Sequence, residues 1–402
     1  MRAYERFLRY IQFDTASDES SPTCPSTAKQ LVLGRALVEE MKEMGIADAR
    51  IDEHGYVYGS IPATAEGQPA MGLIAHMDVI DAVPCAPMNA EIVQGYDGGV
   101  YTLKNGDALD PAAMPELKAC AGKDLIVTDG NTILGGDDKA GIAEILTMAE
   151  RLLADPAIPH GKICLGFTPD EEIGRGADLF DVPGFCAEFA YTVDGGELGG
   201  IDYETFNAAT GRVTVHGVNV HPGSGKNRMK NASLIAMEFN AMLPPAEIPA
   251  HTEGYEGFYH LMGMSGNEER ADLHYIIRDH DRDIFERRKA RFLAIADYLN
   301  GKYGAGTVEA TAEDSYANMR EALASHMDVI ARAENAYRAI GIEPFSRPVR
   351  GGTDGCRLSF MGLPCPNLAT GGIGAHGRHE CIAVQDMDRM VDMLMALVQP
   401  QA

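Results

Sequence analysis

Residues 71–78 read Met-Gly-Leu-Ile-Ala-His-Met-Asp, a short apolar run that stops at His76, with Asp78 two positions beyond. A continuous apolar run of this length is the pattern of a strand buried on both faces, and such strands belong to parallel sheets covered by helices. The pattern recurs at Lys162–Thr168 and Phe189–Val193, and between the runs Gly141–Leu153 is apolar at helical spacing. Upstream, Ser26-Thr27 is placed to cap a helix running to about Met44, and Tyr56–Ile61 reads as another strand. This alternation predicts an α/β layer structure, a mixed and largely parallel sheet with helices on both faces.

Past residue 206 the rhythm changes. Arg212–His216 reads as a strand, Ala232–Met242 as a helix, and Gly257–Met264 and Asp272–Arg278 as two strands. Ile284–Leu299 then reads as a helix and Thr307–Glu313 as a last strand. The order β-α-β-β-α-β is the split βαβ, ferredoxin-like unit. From about residue 317 the α/β style resumes, with a helix near Arg320–Ile340, the Gly-rich stretch Arg350–Gly355 and a helix after Val384. The expected organisation is one α/β domain, 1–207 and 317–402, interrupted by a smaller α+β domain at 208–316.

A chain of 402 residues suits two domains. No apolar run approaches the roughly 18 residues of a membrane span, so no membrane partner is expected. The segment Met1–Ile11 mixes charges into an amphipathic pattern and reads as a helix of the folded protein, not a signal peptide. A formal net charge of -25 repels phosphate backbones and disfavours nucleic acid, so no nucleic-acid partner is expected. Eight cysteines without a Cys-x-x-Cys pair argue against a disulfide framework or a thiolate zinc site, and a reducing cytoplasm is the expected compartment.

Five segments end apolar runs on side chains able to bind metal: His76-Met-Asp78, Gly135-Gly-Asp137-Asp138-Lys139, Thr168-Pro-Asp-Glu171-Glu172, Val193-Asp194-Gly-Gly and His376-Gly-Arg-His379-Glu380. In open α/β sheets functional groups gather at the carboxyl ends of strands, so five such ends can meet in one crevice. Each segment alone is weak. His-Met-Asp-Val-Ile occurs at 76–80 and again at 326–330, the second time inside a helical pattern where nothing points to a site. Context separates the copies, because residues i and i+2 of an extended chain face one side, so that Asp78 can orient the His76 imidazole. Asp137-Asp138 reads equally as a polar turn with Asp138 as a helix cap. Glu171-Glu172 is more telling, since adjacent carboxylates repel unless a cation lies beside them; a solvated acidic turn is the alternative. Of the two loop histidines, His376 and His379, only one need matter. Together, histidines and carboxylates without cysteine suit Zn²⁺, or Co²⁺ or Mn²⁺, in a catalytic site. Two ions about 3.5–4 Å apart require a bridging carboxylate and terminal ligands on each side, leaving one carboxylate as general base.

Longer blocks carry a resemblance. Thr128-Asp-Gly, Gly136-Asp-Asp-Lys-Ala-Gly-Ile-Ala-Glu-Ile, Phe167-Thr-Pro-Asp-Glu-Glu and Tyr191-Thr-Val-Asp-Gly-Gly resemble the catalytic blocks of the co-catalytic di-zinc peptidase and amidohydrolase family, which includes carboxypeptidase G and aminoacylase. With Thr252-Glu-Gly-Tyr-Glu-Gly-Phe-Tyr-His-Leu, His274-Tyr-Ile-Ile-Arg-Asp and Arg350-Gly-Gly-Thr-Asp-Gly, the resemblance extends to a peptidase branch of that family and covers nearly the whole chain.

The resemblance implies two Zn²⁺ per subunit, bridged by Asp137, with His76 and Asp194 completing one site and Glu172 and His376 the other. It implies that Glu171 is the general base, that Asp78 clamps His76, and that the Asp137–Asp138 peptide is cis. The inserted domain becomes a lid and dimerisation domain, whose His221 reaches the partner's active site in a homodimer and whose Arg278 holds a substrate carboxylate. The implied activity is metal-dependent release of the N-terminal residue from tripeptides or similar short peptides. An acylase or carboxypeptidase-type amidohydrolase on the same scaffold is the alternative.

Overall fold

The run that ends at His76 is a strand, Met71–His76, with all six residues buried. The structure is a computed structural model, and it describes residues 1–400. Met71–His76 lies at the centre of a seven-stranded sheet ordered Arg50–Ile51, Val57–Ile61, Ile163–Thr168, Met71–His76, Phe189–Gly195, Asn367–Ala369, Ile201–Asp202. The four strands from Ile163–Thr168 to Asn367–Ala369 run parallel, and the flanking strands pair antiparallel. The sheet is mixed and largely parallel, as its uninterrupted apolar strands require.

Helices cover it. The helix Gly136–Ala154 packs on Met71–His76 and Phe189–Gly195. Its close approach depends on Gly141, where a Cβ would stand 1.9 Å from the Val193 carbonyl oxygen. Leu358, in the helix Asp354–Phe360, packs in one cluster with Ile74, Cys164 and Ala190 of the sheet. The helices Ala3–Tyr10 and Val384–Leu397 pack on Gly136–Ala154 in turn.

Several local expectations need correction. The helix expected from Ser26-Thr27 starts at Gln30, and its N-cap Lys29 makes no side-chain cap bond. Ser26 instead donates to the Asp170 carboxylate. The single helix expected at 320–340 is two, Met319–Leu323 and Met327–Ala339, and the exposed His326 of the repeated pentapeptide is the N-cap of the second. The small sheet Gly372–Ile373, Cys381–Ala383, Leu125–Val127, Glu91–Val93 had no expectation, because strands of two or three residues are too short to show a period.

The described chain forms two compact units. One contains Met1–Tyr203, Ala322–Arg347 and the residues from Thr353 on; the other contains Glu204–Glu321 and Pro348–Gly352. The second unit has a four-stranded antiparallel sheet ordered Phe258–Gly266, Arg270–Asp279, Asn207–His216, Val308–Tyr316. Its helices Ala232–Met242 and Arg282–Tyr303 bury Phe239, Phe285 and Phe292 with Val213, Tyr275 and Ile277 of the sheet. The connecting segments belong to this unit because they bond to one another: Asn318 Oδ1 accepts from Thr205 N, and Val349 N donates to Glu204 O. No described helix is long and apolar enough to cross a membrane.

Candidate active site

Strand ends supply only part of the site. His76 ends its strand, and Asp194 lies near the end of Phe189–Gly195. Glu171 and Glu172 lie in a 3-10 turn after Ile163–Thr168, reached through Asp170 in the left-handed region at φ 59°. Asp170 is pinned there by Ser26 N at 2.7 Å and Gln30 Nε2 at 2.7 Å. Asp137 sits at the N-terminal end of the helix Gly136–Ala154, and His376, at φ 65°, in the loop between Gly372–Ile373 and Cys381–Ala383. The expectation of five converging strand ends is therefore corrected, because a helix start and a loop of the small sheet supply the remaining groups.

Two donor groups share Asp137. His76 Nε2 lies 2.9 Å from Asp137 Oδ1 and 3.4 Å from Asp194 Oδ1. His376 Nε2 lies 3.2 Å from Asp137 Oδ2 and 2.8 Å from Glu172 Oε2. Each triad, His76–Asp137–Asp194 and Asp137–Glu172–His376, brings its donor atoms within 4.8 Å of one another. The two oxygens of Asp137 thus face different histidines, as a carboxylate bridging two cations does. Glu172 Oε1 is buried without a hydrogen-bond partner, which leaves an acceptor for a cation. All donors are imidazole nitrogens or carboxylate oxygens, a set that fits Zn²⁺, Co²⁺ or Mn²⁺.

Around these donors a set of backbone bonds holds the geometry. His76 Nδ1 lies 3.1 Å from the Asp78 carbonyl oxygen and 3.4 Å from Asp78 Oδ1. An Nδ1–H donated there would leave the Nε2 lone pair free for a cation held beside Asp137 and Asp194. The Asp78 carboxylate accepts from Glu171 N at 2.9 Å and Glu172 N at 3.2 Å, so it ties one strand end to the next. The Asp137–Asp138 peptide is cis. Asp138 Oδ2 accepts from His76 N at 3.0 Å, and its Oδ1 from Gly141 N at 3.3 Å.

Crowded carboxylates in a buried place set the electrostatics. Burial, then the charge of Asp194, pushes the Glu171 carboxyl well above the usual range. Burial likewise raises Asp194 to about 7, against the pull of His76. Hydrogen bonds to Asp137 and Glu172 raise His376 to about 10. Burial opposes a charge on His76, yet Asp194 and Asp137 outweigh it and hold its pKa well above the ordinary value. The surplus of negative charge is what divalent cations would neutralise.

The residues of the insert are placed as follows. His221 is exposed at the start of the turn Pro222–Ser224, and its Nδ1 accepts from Gly223 N at 3.2 Å. Arg278 donates to the carbonyl oxygens of Ala209 and Ile277 and lies over the Tyr316 ring at 5.3 Å.

Two residues quoted from the sequence have a positioning role that it did not reveal. The buried Glu380 accepts from Gly135 N at 2.7 Å and Asp137 N at 2.9 Å, holding the turn that carries Asp137. Its only signal was adjacency to His379, and its partners lie more than two hundred residues away. The buried Asp354 accepts from Thr168 Oγ1 at 2.7 Å, just before the Glu171-Glu172 turn. It stood in a quoted Gly-rich block with nothing local to mark it.

Comparison with known proteins gives concordant relatives. The description "Peptidase family M20/M25/M40" matches residues 128–399. Peptidase T of Halothermothrix orenii is 50% identical over 401 residues, covering 99% of this chain and 98% of the relative. Peptidase T of Desulfitobacterium hafniense is 52% identical over 398 residues, covering 98% and 97%. Among solved structures, aminopeptidase PepT of Bacillus cereus superposes with a TM-score of 0.78 at 22% identity, covering 99% of this chain and 97% of that one. A dinuclear metal-binding M20 peptidase of Bacillus subtilis gives a TM-score of 0.64 at 12% identity, covering 98% and 96%.

Proposed function

The chain belongs to Peptidase family M20/M25/M40, and from that membership we propose that it releases the N-terminal residue of tripeptides and similar short peptides, using two divalent cations, zinc foremost. The observation that carries the reading is the division of Asp137, one oxygen toward His76 and the other toward His376. His76 and Asp194 hold one cation with Asp137, and Glu172 and His376 hold the other. Bound there, the cations supply Lewis-acid polarisation of the scissile carbonyl and acidify water.

The chain's own groups do the rest. Glu171 takes a proton from the attacking water and returns it to the leaving amine. Burial and the nearby Asp194 charge raise its carboxyl, and a cation beside Asp194 would offset the second of these. Asp78 keeps Glu171 and Glu172 in register by accepting both backbone N–H groups. In a homodimer, His221 steadies the developing oxyanion in the partner's active site, and Arg278 pairs with the peptide's C-terminal carboxylate. The insert is then lid and dimerisation domain, and the enzyme works in the cytoplasm on short peptides.

The test is a screen of di-, tri- and tetrapeptides with free and blocked termini, with and without Zn²⁺. Metal-dependent release of the first residue, abolished by N-acetylation, is expected. Turnover of N-acylated substrates, or release from the C-terminal end, would mark the acylase or carboxypeptidase reading instead. No hydrolysis after metal loading would overturn catalysis altogether.

A further inference from the structure

A cavity of about 100 Å³ lies beside Asp137 and Asp194. One wall is Gly195-Gly196, directly after Asp194; the other is formed by Thr370, Gly372, Ile373 and Ala375. Backbone and side-chain bonds join the walls, so the space is preorganised. Thr370 N donates to Gly195 O at 3.0 Å, Gly371 N to Gly196 O at 2.8 Å, and Thr370 Oγ1 to Gly195 O at 2.7 Å.

The two glycines differ in what keeps them small. A Cβ on Gly195 would stand 2.8 Å from the Leu368 carbonyl oxygen, so packing of the strands forbids a side chain there. A Cβ on Gly196 would meet only the Gly372 carbonyl oxygen, at 3.7 Å, an ordinary contact, and its φ is outside the left-handed region. Neither backbone nor packing requires glycine at 196. Its effect is to leave the cavity open.

Two further carboxylates line this space, Asp138 and Glu380, and neither belongs to a cation triad. Their hydrogen-bond partners are single backbone N–H groups, two for each carboxylate. Two accepted bonds apiece leave both side chains acceptor capacity for a cationic group. In an aminopeptidase the scissile carbonyl carbon is bonded to the first Cα, which carries both the ammonium and the side chain. A peptide whose first carbonyl lies at the Asp137–Asp194 donors therefore has its ammonium and first side chain within a few bonds of the cavity. A water centre needs only about 10–15 Å³, so the cavity takes several heavy atoms but little more.

Resting on the aminopeptidase reading, we propose that this cavity seats the first residue of the peptide, with its α-ammonium toward Asp138 and Glu380, and that Gly196 and Ile373 set the size of first side chain accepted. The zinc-loaded protein is tested with the tripeptides Gly-Gly-Gly, Ala-Gly-Gly and Leu-Gly-Gly. Gly196→Ala removes space, so the ratio of kcat/KM for the leucine-first over the glycine-first peptide should fall at least about 10-fold, the scale of one methylene in a closed pocket. Inhibition by free leucine should weaken relative to free glycine, with zinc content at the wild-type level. Ile373→Ala removes an opposing wall, and the same ratio should rise. Unchanged ratios in both variants overturn the seat while leaving the aminopeptidase reading intact. A wild type that hydrolyses N-acetylated tripeptides as fast as free ones overturns both.

Discussion

Asp137 turns one oxygen to His76 and the other to His376, so each candidate cation position depends on it. Asp137→Ala should lose both metals, whereas His376→Ala should mainly weaken one, read as metal equivalents per subunit after dialysis. Equal loss in the two variants would remove the bridging role. Glu171 belongs to neither triad. Glu171→Gln should keep the metal and lose about 10²–10⁴-fold in turnover, the usual share of a general base; activity within a fewfold of wild type would assign the base elsewhere. Arg278 carries the only charge here assigned to the far end of the peptide. Amidating a tripeptide should lower kcat/KM in the wild type and leave Arg278→Ala indifferent, because the charge-assisted pair is already gone. Equal sensitivity in both enzymes would reject the pairing.

Between elements, the decisive contact is that of the helix Gly136–Ala154 on the strand Phe189–Gly195. Asp137 is at the start of the helix and Asp194 near the end of the strand, so their spacing follows from how closely the two pack. Gly141 permits that approach, with no room for a Cβ against the Val193 carbonyl oxygen. Gly141→Ala should destabilise the protein by about 1–3 kcal/mol, as overpacked cores do. It should also weaken zinc binding, since the helix must back away from the strand. Thermal melting with chelator reads the first effect and zinc titration the second. A destabilised variant with unaltered zinc affinity would separate the packing from the site.

For the whole molecule, the testable matter is assembly. His221 is exposed and caps its own turn, and the work proposed for it is in a partner subunit. Two inactive variants should then rescue each other: Glu171→Gln supplies an intact His221, and His221→Ala an intact Glu171. After random subunit exchange about half the dimers are mixed, each with one complete site of two, so roughly a quarter of wild-type activity should return. A mixture as inactive as its parents would place His221 in its own subunit or outside the reaction.

Much of this was legible in the chain alone, and the reason is locality. The strands ending at His76 and Thr168 announce themselves by unbroken apolar runs, because a strand covered on both faces has no solvent side to encode. The β-α-β-β-α-β order of the insert follows from residues a few positions apart, as do the ligand types and their resemblance to a family. What the tertiary structure alone decided is which distant groups meet. Glu380 reaches back to the Asp137 turn, Asp354 to Thr168, and Ser26 leaves its expected helix cap for Asp170. Each is a carboxylate or hydroxyl satisfying a buried polar partner far along the chain. Burial makes such a bond obligatory but leaves no period or spacing in the sequence to announce it.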